Sequence, residues 1–288
     1  GDYWGGPVAH DAEIRYFDDP VSAVNALRVG DADVVWAMQA PQLIDTLPDD
    51  IRVEVGTTNG EVLLSMNNKR APFDDPDVRR AVAYAIDRKA VNDVVYNGLA
   101  TDTGGAPVPP TDPWFPGRDY YPFDPDKARE LLAGRTPEIT ITVPNLPYAQ
   151  EASELLYSQL RDVGFRVRLE TVEFPAVWLN QVLKGHDYQA SIVSHVEPLD
   201  IDIYARPDYY FHYAKPDFVA LMDQLQTAVT PQQRSELYRQ AQEMIAGDYV
   251  NAFLFQLAKT GVANARIEGL WENAPTQAND LTRVRWTP

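Results

Sequence analysis

The chain has no cysteine among its 288 residues, which excludes disulfide bonds, thiolate zinc sites and cysteine nucleophiles. It is also poor in positive charge, with 25 Lys and Arg against 42 Asp and Glu and a formal net charge of −17. Nucleic acids and anionic membrane surfaces attract basic proteins, so this balance argues against both as partners. It slightly favours neutral or cationic small ligands.

Long apolar runs and several well-known motifs are missing as well. No run approaches the roughly 18 apolar residues of a membrane-spanning helix. The sequence has no P-loop, no GxGxxG, no GxSxG and no HExxH, which argues against nucleotide binding and against the corresponding hydrolases. Its four histidines are scattered, so we expect no metal and no cofactor. A hydrophobic content of 45% is enough for a sizeable core and predicts two domains.

The residue patterns that are present alternate between strand and helix periodicity. This order predicts an α/β fold in which parallel strands carry helices on the faces of the sheet. Strands are expected at 11–17, 33–38, 51–55, 138–143, 165–169, 188–193 and 253–255, and helices at 20–29, 76–86, 125–132, 148–163, 175–183, 217–228 and 231–246. A Pro- and Gly-rich loop over 101–123 is long enough to suggest a functional role or irregular packing.

The most distinctive stretch runs over 67–88. An apolar segment over 62–64 leads into it, and a turn rich in Pro and Asp follows. Asp75 is placed to cap a helix and Pro76 fits the first helical position. Apolar residues at 78, 81, 82, 85 and 86 then fall on one helix face, which predicts that this face is buried.

Three side chains that could carry chemistry follow the predicted strand at 188–193. They are His195, Glu197 and Asp200. Ligands in open α/β sheets bind outside the carboxyl ends of strands. The two carboxylates could perform acid–base hydrolysis, could bind an ammonium group, or could simply be part of a solvated acidic loop. His195 and Glu197, with His186 or His212, could instead bind a metal, although their spacing matches no strong signature.

Aromatic residues crowd the segment that comes next. Such residues suit a cleft for a peptide or small molecule, and packing within the loop would explain them equally well. They are Tyr204, Tyr209, Tyr210, Phe211 and Tyr213.

Several segments, in the same order along the chain, resemble the family 5 extracellular solute-binding proteins, which are receptors of ABC importers for oligopeptides, dipeptides, glutathione and nickel chelates. The segment over 67–88, NNKRAPFDDPDVRRAVAYAIDR, resembles the most specific signature of that family. The others are YWGG at 3–6, NALRVGDADV at 25–34, the loop over 97–110, YPFDPDKARELL at 121–132, and the Arg, Leu, Tyr, Ala and Gln at 234–242.

The resemblance implies a periplasmic-binding-protein type II-like α/β fold, with one complete lobe plus part of the other lobe. Residues 1–65 would be the returning part of lobe I, 66–255 lobe II, and 256–288 a C-terminal return to lobe I. The chain would be the C-terminal part of a longer, monomeric, non-catalytic receptor. That receptor would be extracytoplasmic, would reach the membrane only through a lipid anchor, and would deliver a peptide or small solute to ABC permease subunits. Hinge residues are expected at Met66, Asn67, Gln256 and Leu257.

In peptide-binding members of the family, a WxxDxxDP-like loop supplies the Asp that pairs with the ligand's α-ammonium group. The matching stretch here is 194–201, which places Glu197 at that Asp and Asp200 at the second acidic position. Ser194 and Ile201 replace the Trp and the Pro of the motif. The expected ligand-binding residues are Glu197, Asp200, His195, Tyr209, Tyr210 and Trp36. Two alternatives remain: a hydrolase that uses Glu197 and Asp200, and a metal-chelate or haem receptor that uses His195 or His212.

Overall fold

A computed structural model describes residues 11–38, 40–197, 200–274 and 278–288. The chain divides into two compact units, a larger one over Asn59–Leu257 and a smaller one formed by Gly1–Thr58 and Ala258–Pro288. It passes between them in two long strands, β2 (Ile51–Met66) and β7 (Ala252–Asn264). The lobe bounds expected from the sequence, at 65/66 and 255/256, stay a prediction.

The larger unit is built on a mixed sheet. Its strands are ordered β7-β2-β6-β4-β5, with β4 (Glu138–Pro144), β5 (Arg166–Val172) and β6 (Ala190–His195), and the short β3 (Thr101–Asp102) pairs with β7. β4 runs parallel to β5 and to β6, as the βαβ order predicts. β2 is antiparallel to β6, so the expectation of parallel strands is wrong for β2. The short β3, which is antiparallel to β7, lies in the stretch that was expected to be a loop.

Helices cover the intervals between these strands, and their starts follow the capping chemistry read from the sequence. Asp75 accepts a hydrogen bond from the backbone N of Asp77 at 2.8 Å, and Asp124 accepts one from the backbone N of Lys127 at 2.8 Å. The helices of this unit are α2 (Pro76–Ala85), α3 (Arg88–Tyr96), α4 (Pro125–Leu132), α5 (Pro147–Asp162), α6 (Ala176–Trp178), α7 (Pro216–Thr227) and α8 (Pro231–Gly247). A wider π-type turn continues α6 over Leu179–Lys184, and a 3₁₀ turn covers Ile201–Ala205.

Aromatic residues from the segment after β6 fill the core of the larger unit. Tyr204, Tyr210 and Phe211 are at most 4% exposed and pack with Phe218 and Phe253. Burying this much aromatic surface anchors the segment firmly. The segment that carries the candidate site residues therefore rests on a packed core.

The smaller unit contains α1 (Pro20–Arg28), β1 (Val34–Val35), a 3₁₀ turn over Pro41–Thr46 and the paired strands β8 (Ile267–Glu268) and β9 (Arg285–Trp286). β1 pairs antiparallel with the end of β7. The strand expected over 11–17 is wrong: these residues form no strand, and Tyr16 is 92% exposed. The predicted YWGG segment lies outside the described residues.

The strands expected at 51–55 and 253–255 are parts of longer strands, because β2 and β7 continue through the boundaries between the units. None of the helices in the described ranges is both long and apolar enough to cross a membrane.

Candidate ligand-binding site

Two neighbouring strands of the larger unit bring the main site residues together. β2 and β6 are antiparallel, and their register places Glu61 directly opposite His195. Residues opposite each other in an antiparallel pair project side chains to the same face of the sheet. His195 is the last residue of β6. Glu197 and Asp200 follow it closely in the chain and line the same cavity as His195 and Glu61.

His195 is held in a fixed orientation by tyrosines. Its Nε2 lies 2.8 Å from the hydroxyl oxygen of Tyr210, and its Nδ1 lies 3.5 Å from that of Tyr209. The His195 and Tyr210 rings are stacked, with an interplanar angle of 8°. Burial lowers the pKa of His195 to about 4, so the imidazole is neutral at physiological pH.

Asp200 lies beside this imidazole but does not pair with it. Its Oδ2 is 3.9 Å from Nδ1 of His195, which is too long for a hydrogen bond. Burial, with the negative charge of Glu197 as the second cause, raises the pKa of Asp200 to about 7. Glu197 itself is exposed. The pair therefore consists of one solvated carboxylate and one carboxyl that titrates near neutral pH.

Glu61 is the most deeply buried of the acids at this site. The residue is 6% exposed, and its Oε1 has no hydrogen-bond partner in the described parts of the chain. Burial raises the pKa of Glu61 well above its usual range, and the charges of Asp200 and Asp112 raise it further. Burial therefore favours the protonated form of this carboxyl, since a charged group without a partner is costly to bury.

The long loop over 101–123 supplies another acid. Asp112 accepts a hydrogen bond from the backbone N of Trp114 at 2.7 Å, while burial raises the pKa of its carboxyl. Trp114 stacks on Tyr238 of α8 with ring centroids 3.9 Å apart, and its Nε1 donates to Ser235 Oγ at 3.0 Å. These contacts fix the loop against α8, so Asp112 is held in place.

These side chains line a cavity of about 120 Å³ within the larger unit. Its acidic members are Glu61, Asp112, Glu197 and Asp200, and none of its described lining residues is Lys or Arg. One donor atom each from His195, Glu197 and Asp200 lies within 4.8 Å of the others. This arrangement can accept a cation, either an organic ammonium or guanidinium group or a metal ion.

The structure brings together most of the residues expected from the sequence. His195, Glu197 and Asp200 line the cavity, and Tyr209 contacts His195. Tyr210 is fully buried, so its contribution is to hold His195. Trp36 lies in the smaller unit, where Nζ of Lys259 sits 4.9 Å from its ring centroid.

The expected hinge residues occupy different positions relative to the unit boundaries. Met66 and Asn67 are buried inside the larger unit, and the backbone N of Met66 donates to Asn251 Oδ1 at 2.9 Å. Gln256 and Leu257 end that unit, next to its boundary at Ala258. Their role as hinges stays a prediction.

Sequence reasoning missed Glu61 and Asp112. A signal for Glu61 was available, because this glutamate directly precedes an apolar strand segment. A glutamate in that position is expected to be buried, and a buried acidic residue is uncommon enough to suggest a functional role. Asp112 gave no such signal. It lies among prolines in an irregular loop, where nothing periodic shows which side chains face inward.

Comparison with known proteins agrees with this fold. Residues 1–216 match the family of bacterial extracellular solute-binding proteins, family 5 Middle. The chain is 27% identical to a probable di/tripeptide-binding protein 5 of Pseudomonas aeruginosa, over 98% of this chain and 57% of that protein. It is 25% identical to heme-binding protein A of Haemophilus influenzae, over 84% of this chain and 48% of that protein.

Among solved structures, NikA of Brucella suis in complex with Fe(III)-EDTA superposes with a TM-score of 0.84 at 17% identity, over 99% of this chain and 64% of that one. The fold is that of the type II periplasmic binding proteins. The chain belongs to the family 5 bacterial extracellular solute-binding proteins. It spans about half the length of the curated relatives it matches.

Proposed function

We propose that this chain is the solute-binding part of an extracytoplasmic, lipid-anchored receptor of an ABC importer, and that its solute is a peptide or similar small molecule that carries a cationic group. The observation that carries the proposal is the cavity with four acidic side chains and no Lys or Arg among its described lining residues. A cation that enters it gains charge-assisted hydrogen bonds in a poorly hydrated space. The family membership supports the receptor role, and the name of the Pseudomonas relative supports a peptide.

The proposal is tested on the full-length receptor by thermal unfolding with a panel of small solutes. A ligand that binds only the folded state raises the unfolding temperature. We expect increases with dipeptides that have a free amino terminus and smaller or no increases with their N-acetylated forms. If the acetylated and free peptides stabilise the protein equally, or if no cationic compound does, the proposed solute class is wrong.

The same samples distinguish the two alternatives. A receptor leaves the dipeptides intact, whereas a hydrolase that uses Glu197 and Asp200 would cleave them, which mass spectrometry detects. A metal-chelate or haem receptor would be stabilised by haemin or by nickel–histidine and would show metal-dependent absorption, and His195→Gln or His212→Gln would remove it. The matched relatives are binding proteins, which favours the receptor over the hydrolase.

A further inference from the structure

Glu61 has a chemical property that the fold does not require. Its side chain is buried opposite His195 in the β2–β6 register, and Oε1 lacks a hydrogen-bond partner among the described residues. A buried carboxyl oxygen without a hydrogen-bond partner lowers stability relative to an apolar residue of the same shape. A Leu or Met at this position of an apolar strand would avoid that cost, so Glu61 is best explained by something that binds to it.

Among the described residues that line the cavity or interact with Glu61, none is available to neutralise it if it ionises. His195 opposite it is neutral, because burial keeps the pKa of its imidazole at about 4. Arg206, which lowers the pKa of the neighbouring Asp200 to a minor extent, pairs with Asp202 at 2.8 Å. The titratable groups that face Glu61 or interact with it are His195, Asp112, Glu197, Asp200, Tyr121 and Tyr204. Because the described residues supply no counter-ion for Glu61, the counter-ion has to come from a ligand.

We propose that Glu61 selects the cationic group of the solute, and that its carboxyl releases its proton to solvent as that group enters the cavity. The inference rests on the proposed function and adds which carboxyl discriminates the solute. One cation enters and one proton leaves, so the charge of the cavity is unchanged: the neutral carboxylic acid becomes a carboxylate that accepts a hydrogen bond from the ammonium or guanidinium group, and a water or buffer molecule takes the proton. A neutral solute cannot drive this exchange.

The contrast with Glu197 explains why Glu61 is the selective residue. Glu197 is exposed, and an exposed carboxylate is solvated whether or not a ligand is present, so its attraction for a cation is weak and screened. Glu61 is surrounded by protein, where the effective dielectric constant is lower and a charge pair interacts more strongly. The family resemblance points to Glu197 for the ammonium contact, whereas burial and the unpartnered Oε1 point to Glu61.

Calorimetry on the full-length receptor measures the proton exchange directly. Alanyl-alanine, and the cationic compound that gives the largest stabilisation in the solute panel, are titrated at ~pH 7 in phosphate and in Tris, whose ionisation enthalpies differ. We expect the two buffers to give different heats, equivalent to the release of about one proton. Glu61→Gln should abolish this difference and weaken binding about tenfold or more. Glu138→Gln, at an exposed position of β4, is the matched control and should behave as wild type.

The outcomes separate the inference about Glu61 from the proposed receptor function. If a cationic compound binds with equal heats in both buffers, or if Glu61→Gln retains the proton release, the inference about Glu61 is wrong and the receptor function stands. If no cationic compound binds at all, both fail.

A second measurement needs no ligand. The raised pKa of Glu61 means that the folded protein holds a proton that the unfolded chain has lost, so wild-type stability falls as pH rises above the usual glutamate range. Glu61→Gln removes that proton-linked loss. Its stability relative to wild type should therefore increase steadily from ~pH 5 to ~pH 8. A difference in unfolding free energy that is flat over this range would overturn the inference.

Discussion

Two groups of acidic side chains in the larger unit are neutralised in opposite ways. Asp102 and Asp119 each accept a hydrogen bond from Arg88 at 2.8 Å, and the same guanidinium donates to the backbone carbonyl of Tyr121 at 2.8 Å. Arg88 is 6% exposed, so its charge is buried and fully engaged. Glu61 and Asp200, by contrast, share their cavity with no Lys or Arg in the described residues.

The difference shows which acidic groups serve the fold. Where the chain supplies its own cation, the carboxylates act as structural anchors, and Arg88 fixes both ends of the loop over 101–123 to α3. Where the described residues supply none, the protonated form of the acids is favoured, as burial raises the pKa of Asp200 to about 7. Such a site costs stability in the empty protein and gains interaction energy when a cation arrives, which is typical of functional positions.

The largest effect should come from removing Arg88, the cation that neutralises Asp102 and Asp119. Arg88→Ala leaves Asp102 and Asp119 without a counter-ion and the Tyr121 carbonyl without its donor. We expect the free energy of unfolding in urea to fall by about 3 kcal/mol, because three hydrogen bonds of a buried guanidinium are lost and the Tyr121 carbonyl keeps no donor. Asp102 and Asp119 are about half exposed, so water hydrates their charges in the variant. Arg166→Gln is the control: its pair with Glu138 is exposed, and its loss should cost less than about 0.5 kcal/mol. Similar losses for the two variants would show that the Arg88 group is not a structural anchor.

A gain in stability is expected when Asp200, which shares the cavity with no Lys or Arg among the described residues, is replaced by a neutral residue. A rise in the pKa of Asp200 from 3.8 to about 7 means that wild-type stability is lost as pH rises through that interval. Asp200→Asn should therefore be more stable than wild type by about 3 kcal/mol at ~pH 8. The two proteins should be equal near ~pH 4.

Asp202 provides the matched control for this experiment, since it lies in the same turn and is exposed. Asp202→Asn should change stability by less than about 0.5 kcal/mol at either pH. If Asp200→Asn destabilises the protein at high pH, a cation must already neutralise the cavity, and the comparison fails.

The sequence predicted the local elements around both groups better than the contacts between distant residues. Asp75, Pro76 and the apolar face over 78–86 placed α2 correctly, because local capping and periodicity determine a helix start. His195, Glu197 and Asp200 were expected together because they follow one strand closely. These are all consequences of short-range order along the chain.

What the sequence could not supply depended on contacts between distant residues. Glu61 and His195 are opposite each other only because of the β2–β6 register, and the side chain pattern of neither strand fixes that pairing. Asp112 enters the cavity because Trp114 stacks on Tyr238, more than a hundred residues later in the chain. The strand expected over 11–17 was wrong because alternation alone cannot provide a partner strand.

A smaller effect should follow when the support of His195 is removed. Tyr210→Phe deletes the hydroxyl that lies 2.8 Å from His195 Nε2. We expect a loss of about 1 to 2 kcal/mol of stability, together with weaker solute binding, because the imidazole beside Asp200 loses its fixed orientation.

Tyr213→Phe is a suitable control, since its hydroxyl donates to Asp248 Oδ2 at 2.7 Å in the same aromatic cluster. It should lower stability by a comparable amount and leave solute binding unchanged, as measured by calorimetry. Equal effects of both variants on binding would mean that His195 orientation does not matter for the cavity.

The smallest change tests whether Arg206 already neutralises the cavity. Arg206 forms an exposed pair with Asp202 and lowers the pKa of Asp200 to a minor extent. Arg206→Gln should therefore alter the free energy of unfolding by less than about 0.5 kcal/mol, while a carbon-detected NMR titration shows the pKa of Asp200 moving upward. Arg239→Gln, whose partners Glu236 and Glu243 lie on its own helix, should leave that titration unchanged. A loss of stability from Arg206→Gln that approaches the loss from Arg88→Ala would show that the chain neutralises both acidic groups. The cavity would then have no need of a cationic ligand.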